Sequence, residues 1–176
     1  MSLPNFITLG RIVLVPLIIA MIVARNWSGA CLLFLIAGVS DAVDGFLAKR
    51  FNMATELGAF IDPLADKALL VSLYVTLGIV DAIPPWLAIL VVSRDVFIMG
   101  AVIVAWLLGK PIEIKPLWVS KFNTGAQIAF AAAVLAARAL DWPQGRAFEA
   151  GIFIVAALTL ASGAAYFAVW TRHMAE

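Results

Sequence analysis

Six apolar stretches recur along this chain with polar punctuation between them, each close to the ~20 residues needed to cross a bilayer. They run over residues 4–25, 29–49, 57–80, 84–108, 118–140 and 147–171. The breaks carry turn chemistry: Asn26-Trp27-Ser28-Gly29, Phe51 to Glu56, Asp81 to Pro85, Gly109 to Pro116, and Asp141-Trp142-Pro143-Gln144-Gly145. Composition agrees with a lipid solvent. The chain is 64% hydrophobic and 13% charged, with a mean hydropathy of +1.05, against roughly 45–50% apolar and about 25% charged in soluble domains. The expected fold is all-α: six transmembrane helices in one bundle, with residues 1–176 forming a single membrane domain. Arg11 lies inside the first apolar stretch and no basic run precedes it, so that helix is expected to be retained.

Loop charge predicts the orientation. Lys49, Arg50, Lys110, Lys115, Lys121 and Arg172 fall on one side, and Arg25, Arg138 and Arg146 on the other. Six basic residues against three put both termini, and the loop from Lys49 to Glu56, in the cytoplasm. A net charge of +1 argues against nucleic acid as a partner, which usually demands a basic face. The one cysteine, Cys31, rules out an internal disulfide and a multi-cysteine metal site, and its apolar surroundings make it a packed thiol. His173 is expected in a solvated tail. Trp27, Trp86, Trp118, Trp142 and Trp170 fall near segment ends, as an interfacial belt would.

Chemistry concentrates in two neighbouring helices. Asp41, Asp44, Gly45 and Ala48 sit at i, i+3, i+4 and i+7, on one helical face. Gly58, Asp62 and Asp66 sit at i, i+4 and i+8, again on one face. The short loop between them predicts antiparallel neighbours whose acidic faces meet. Carboxylates within apolar helices are costly and mark function. Four of them, Asp41, Asp44, Asp62 and Asp66, repel in a low dielectric unless protonated or held by a cation. Hard oxygen donors suit Mg²⁺, Mn²⁺ or Ca²⁺ rather than zinc. Gly45 and Gly58 let a base or a phosphate approach the backbone, and Lys49, Arg50 and Lys67 surround the acids with positive charge. The residues alone therefore predict a metal and a phosphorylated ligand at the cytoplasmic face. Intramembrane acids also serve ion pathways, so a metal-ion transporter is the alternative from a different class.

These residues resemble the signature of the CDP-alcohol phosphatidyltransferase family, D-x2-D-G-x2-A-R, eight residues, then G-x3-D-x3-D. Asp41, Asp44, Gly45, Ala48, Gly58, Asp62 and Asp66 match with the correct spacing, and Lys49 stands where the family has arginine. Lysine keeps the charge there but loses the bidentate fork. Leu3 to Arg11 looks like the family's first helix. Ser93-Arg94-Asp95-Val96 and Lys115 to Thr124 look most like the cardiolipin synthases of mitochondrial type, whereas phosphatidylglycerophosphate synthases share the aspartates.

The resemblance implies a homodimer in a bacterial-type inner membrane, with the active site cytoplasmic. It implies CDP-diacylglycerol as donor, phosphatidylglycerol as acceptor, and two divalent ions, Mg²⁺ or Mn²⁺. Asp41, Asp44 and Asp62 would bind metal, and Asp66 would bridge a second ion and act as general base. The same-family alternative takes glycerol 3-phosphate as acceptor. Gly45, Ala48, Lys49 and Gly58 would contact the donor. Arg11, Arg94 and Lys121 are further candidates for substrate phosphate, against structural readings as a snorkelling arginine, a partner of neighbouring helices and a lipid-headgroup contact. Gly125, Ala126 and Ala129 could line a gap for an acceptor's acyl chains or serve close helix packing.

Overall fold

A computed structural model of the chain describes residues 3–51, 56–108 and 117–175, with side chains at 10, 13–40, 43, 67–108 and 117–173. Six helices and no strand occur among the described residues: α1 (Leu3–Val23), α2 (Trp27–Phe51), α3 (Glu56–Ile79), α4 (Pro85–Leu107), α5 (Trp118–Ala139) and α6 (Arg146–Ala175). They follow the six apolar stretches to within a few residues, because the same turn residues that interrupt hydropathy also end the helices. Asn26 Oδ1 accepts the Gly29 N–H at 3.0 Å and caps α2. Pro85 opens α4 at a position where its missing N–H costs nothing.

Helices α1, α3 and α5 end alike. Arg25, Asp81 and Asp141 take left-handed φ values of 58°, 56° and 51°. The following N–H then reaches back five residues: Asn26 to Met21 O at 2.9 Å, Ala82 to Leu77 O at 2.8 Å, and Trp142 to Ala137 O at 2.8 Å. That geometry satisfies carbonyls the helix leaves orphaned.

The helices close into a ring. α1 packs on α2 and α3, α3 on α4, α4 on α6, α6 on α5, and α5 on α2, while α3 also touches α5 across the middle. Among the described residues α1 stands between α2 and α3, with Ile18 and Ile22 fully buried. The expected meeting of the acidic faces of α2 and α3 lies outside the described side chains. Gly151 lets α6 lie close against α5: a Cβ there would stand 2.7 Å from the Phe130 ring.

Large apolar side chains face outward as well as into the core, and a few polar ones are buried. Ile79 (74% exposed), Phe153 (67%) and Ile89 (65%) face outward, whereas Asn123, Gln127, Thr159 and Ser162 are buried. Water-exposed surfaces rarely carry so much contiguous apolar area. Two helices, Pro85–Leu107 and Arg146–His173, are long and apolar enough among the described residues to cross a membrane. Cys31 packs against the core as expected. His173 differs from expectation: α6 continues through it to Ala175, so it is half-buried on a helix rather than in a tail.

Candidate active site

The backbone places the signature residues on two helices. Asp41, Asp44, Gly45, Ala48 and Lys49 lie in the C-terminal half of α2, and Gly58, Asp62 and Asp66 in the N-terminal half of α3. Their side chains, and that of Arg11 on α1, lie outside the described residues. Three turns of helix separate Lys67, the first described residue after the motif, from the start of α3.

From Lys67 onward the surroundings are defined. Lys67 Nζ lies 3.8 Å from Asp95 Oδ1 on α4. Asp95 also accepts a bond from Arg94 Nη1 at 2.5 Å. Arg94 falls on the packed stripe of α4 formed by Leu87, Ala88, Val91, Ile98 and Ala105, so helical periodicity carries its charge into the bundle. A buried guanidinium must find partners or destabilise the fold. Arg94 Nε and Nη2 donate to Ser162 Oγ at 3.2 and 2.6 Å, and Nη2 donates to Ser120 Oγ at 2.6 Å. The Tyr166 ring lies 5.6 Å from the guanidinium carbon. Of the five N–H donors of an arginine, one on Nη1 is left without a partner among the described residues.

A second set of polar groups continues the seam. Thr159 Oγ1 donates to Asn123 Oδ1 at 3.0 Å and receives Gln127 Nε2 at 3.3 Å. The Tyr74 hydroxyl donates to Gln127 O at 3.0 Å, tying α3 to α5. Asn123 Nδ2 is buried with no partner among the described residues. The sequence did not single out Gln127, Thr159, Ser162 and Tyr166, and Ser120 and Asn123 entered only as part of the Lys115 to Thr124 segment. Ser120, Asn123 and Gln127, and Thr159, Ser162 and Tyr166, each sit at i, i+3 and i+7, the polar stripe of a buried helix face.

The two described candidates for substrate phosphate are not brought together. Arg94 reaches the bundle side of α5 through Ser120, whereas Lys121 is exposed on its other side with Nζ 5.0 Å above the Trp118 ring. Chemically, the described part supplies a buried cation, a carboxylate bridging two cations, and neutral hydroxyl and amide donors directly beyond the motif.

The family described as CDP-alcohol phosphatidyltransferase matches residues 1–170. A probable cardiolipin synthase (CMP-forming) of Drosophila melanogaster is 34% identical over 189 residues, covering 98% of this chain and 58% of that protein. The cardiolipin synthase (CMP-forming) of Homo sapiens is 32% identical over 182 residues, covering 94% of this chain and 60% of that protein. A CDP-diacylglycerol–glycerol-3-phosphate 3-phosphatidyltransferase of Escherichia coli (strain K12) is 34% identical over 171 residues, covering 90% of this chain and 89% of that protein. The chain thus spans less than two thirds of the length of the cardiolipin synthases it matches.

Proposed function

The chain belongs to the CDP-alcohol phosphatidyltransferase family, and on that premise we propose that it transfers the phosphatidyl group of CDP-diacylglycerol to a hydroxyl of phosphatidylglycerol, giving cardiolipin and CMP. The observation that carries this acceptor is the similarity to cardiolipin synthases over 94–98% of the chain. Glycerol 3-phosphate is the second reading, favoured by the equally identical Escherichia coli relative, which the chain covers almost fully.

The donor set fits the metal this chemistry uses. Asp41, Asp44, Asp62 and Asp66 offer only carboxylate oxygens, the hard donors Mg²⁺ and Mn²⁺ prefer. Asp41, Asp44 and Asp62 would hold one ion, and Asp66 would bridge to a second. Bound divalent ions neutralise the diphosphate and stabilise the departing CMP. Gly45 and Gly58 leave room for the donor's nucleotide, with Ala48 and Lys49 beside it. Arg11, Arg94 and Lys121 remain separate candidates for substrate phosphate, Arg94 on the bundle side of α5 and Lys121 on its outer side. Asp66 takes the proton of the acceptor hydroxyl as that oxygen bonds to the phosphorus on the lipid side of the diphosphate. The bond from that phosphorus to the bridging oxygen breaks, and CMP carries the electron pair away.

All six helices cross the bilayer in this reading. They contain 21 to 30 residues, enough for a ~30 Å hydrocarbon core at ~1.5 Å per residue. An even number of crossings returns both termini to one side, and the loop charges make that side cytoplasmic. The homodimer implied by the family resemblance is part of the same reading.

Purified protein incubated with CDP-diacylglycerol and each acceptor tests it by product mass. A four-chain lipid from phosphatidylglycerol is expected. A two-chain lipid with a terminal phosphate, formed only from glycerol 3-phosphate, would reassign the acceptor and leave the family chemistry intact. Metal flux into vesicles without any CMP release would favour the transporter.

A further inference from the structure

A groove of about 590 Å³ runs down the outside of α5 against Leu158 of α6. Trp118 and Lys121 stand at one end, Phe122 and Gly125 along it, and Ala129 towards the other. Three observations define what fits. Trp118 to Ala129 are twelve residues of one helix, eleven rises or about 16 Å at ~1.5 Å each, which is one leaflet, or half of a ~30 Å hydrocarbon core. Among the described residues the one charge on the lining is the Lys121 ammonium, held above the Trp118 ring at 5.0 Å at the helix start, where tryptophan and lysine mark the membrane interface. Among the described residues nothing stands within 4 Å of where a Cβ would sit on Gly125, so their packing does not require glycine there. The trough is one acyl chain long, apolar along its length and cationic at its headgroup end.

We propose that this groove holds an acyl chain of the phospholipid acceptor, with its anionic phosphodiester at Lys121. The identification of the occupant as acceptor rests on the reading above. The groove opens at the start of α5, and the signature acids lie at the end of α2 and the start of α3. Alternating short-linked helices put those ends on the same side of the membrane, so a lipid seated in the groove has its headgroup at the depth of the chemistry. Lateral entry from the bilayer then needs no opening of the ring. Selection between anionic and zwitterionic lipids falls to Lys121.

Trp118 reports occupancy directly. The full chain is reconstituted in phosphatidylcholine vesicles carrying phosphatidylglycerol or phosphatidylcholine brominated in the acyl chains, and the Trp118 fluorescence is isolated by subtracting the Trp118→Phe protein. Brominated phosphatidylglycerol is expected to quench Trp118 at a mole fraction roughly fivefold lower than brominated phosphatidylcholine, the weight of one lysine at an anionic headgroup. Lys121→Gln is expected to merge the two curves. Gly125→Leu, which meets open space, is expected to lower Trp118 quenching and raise the KM for phosphatidylglycerol about fivefold or more, while the KM for CDP-diacylglycerol stays within about twofold. Coincident curves in the unmodified protein overturn the proposal, as does shielding of Trp118 from both lipids, the result if a second copy of the chain covers the groove. An unchanged acceptor KM in Gly125→Leu overturns it too. Should only glycerol 3-phosphate yield product, the acceptor reading fails while the quenching curves still decide whether the groove takes an anionic lipid.

Discussion

Replacing Asp66 with asparagine is expected to lower turnover by roughly 10²–10⁴-fold, the usual weight of a general base, with CDP-diacylglycerol still bound. The basis is its place as the last acid of the motif, one helical turn beyond Asp62 on α3. An amide is close in shape to a carboxylate but cannot accept the hydroxyl proton. Loss of a bridging ligand would add to the effect without changing its direction. Rates of CMP release and equilibrium binding of the donor separate the two contributions. An Asp66→Asn protein that keeps more than about a third of the original rate would take Asp66 out of the base role.

Chelation is expected to do more: exhaustive EDTA treatment should bring CMP release to background, and Mg²⁺ or Mn²⁺ should restore it. Four carboxylates drawn from two helices cannot all remain ionised in a low-dielectric site without a counter-charge. With the ions removed, the site either takes up protons or spreads, and in both cases the donor's diphosphate loses its partner. Restoration by Mg²⁺ after chelation distinguishes loss of the ion from loss of the fold. Full activity in protein shown to be metal-free would contradict a role for the acids as ligands.

Much of the helical layout is legible in the sequence for a simple reason. In an apolar chain, the polar turn residues such as Asn26, Asp81-Pro85 and Asp141 have few places to go, and they fall where the helices end. Orientation of side chains is harder. Ser120 and Asn123 belong to the polar start of α5, Thr159 and Ser162 are isolated in apolar α6, and none of them alone names its partner. They acquire meaning when α5 and α6 lie side by side and Thr159 meets Asn123. The pairing of Arg94 with polar groups of neighbouring helices was one of two readings open in the sequence. Its partners, 26 and 68 residues away along the chain, depend on the ring closing. The placement of α1 between the described parts of α2 and α3 was hidden by the short loop between those two helices, which fixes their direction but not their contact. The signature acids are a reading from spacing, and their side-chain geometry lies outside the described residues.

The bonding of Arg94 bears on how the chain is assembled. α4 leaves the ribosome before α5 and α6, yet its arginine is satisfied by Ser120 on one and Ser162 on the other. An arginine near the centre of a lone helix disfavours insertion by about 2.5–3.5 kcal/mol. Nascent α4 is therefore expected to stay beside the translocation machinery until α6 has been made, and then to enter the lipid together with its two partners. Chains truncated after residue 110 should leave α4 open to water-soluble labelling, and Arg94→Leu should seal it; equal protection of both truncated chains would mean that α4 inserts alone.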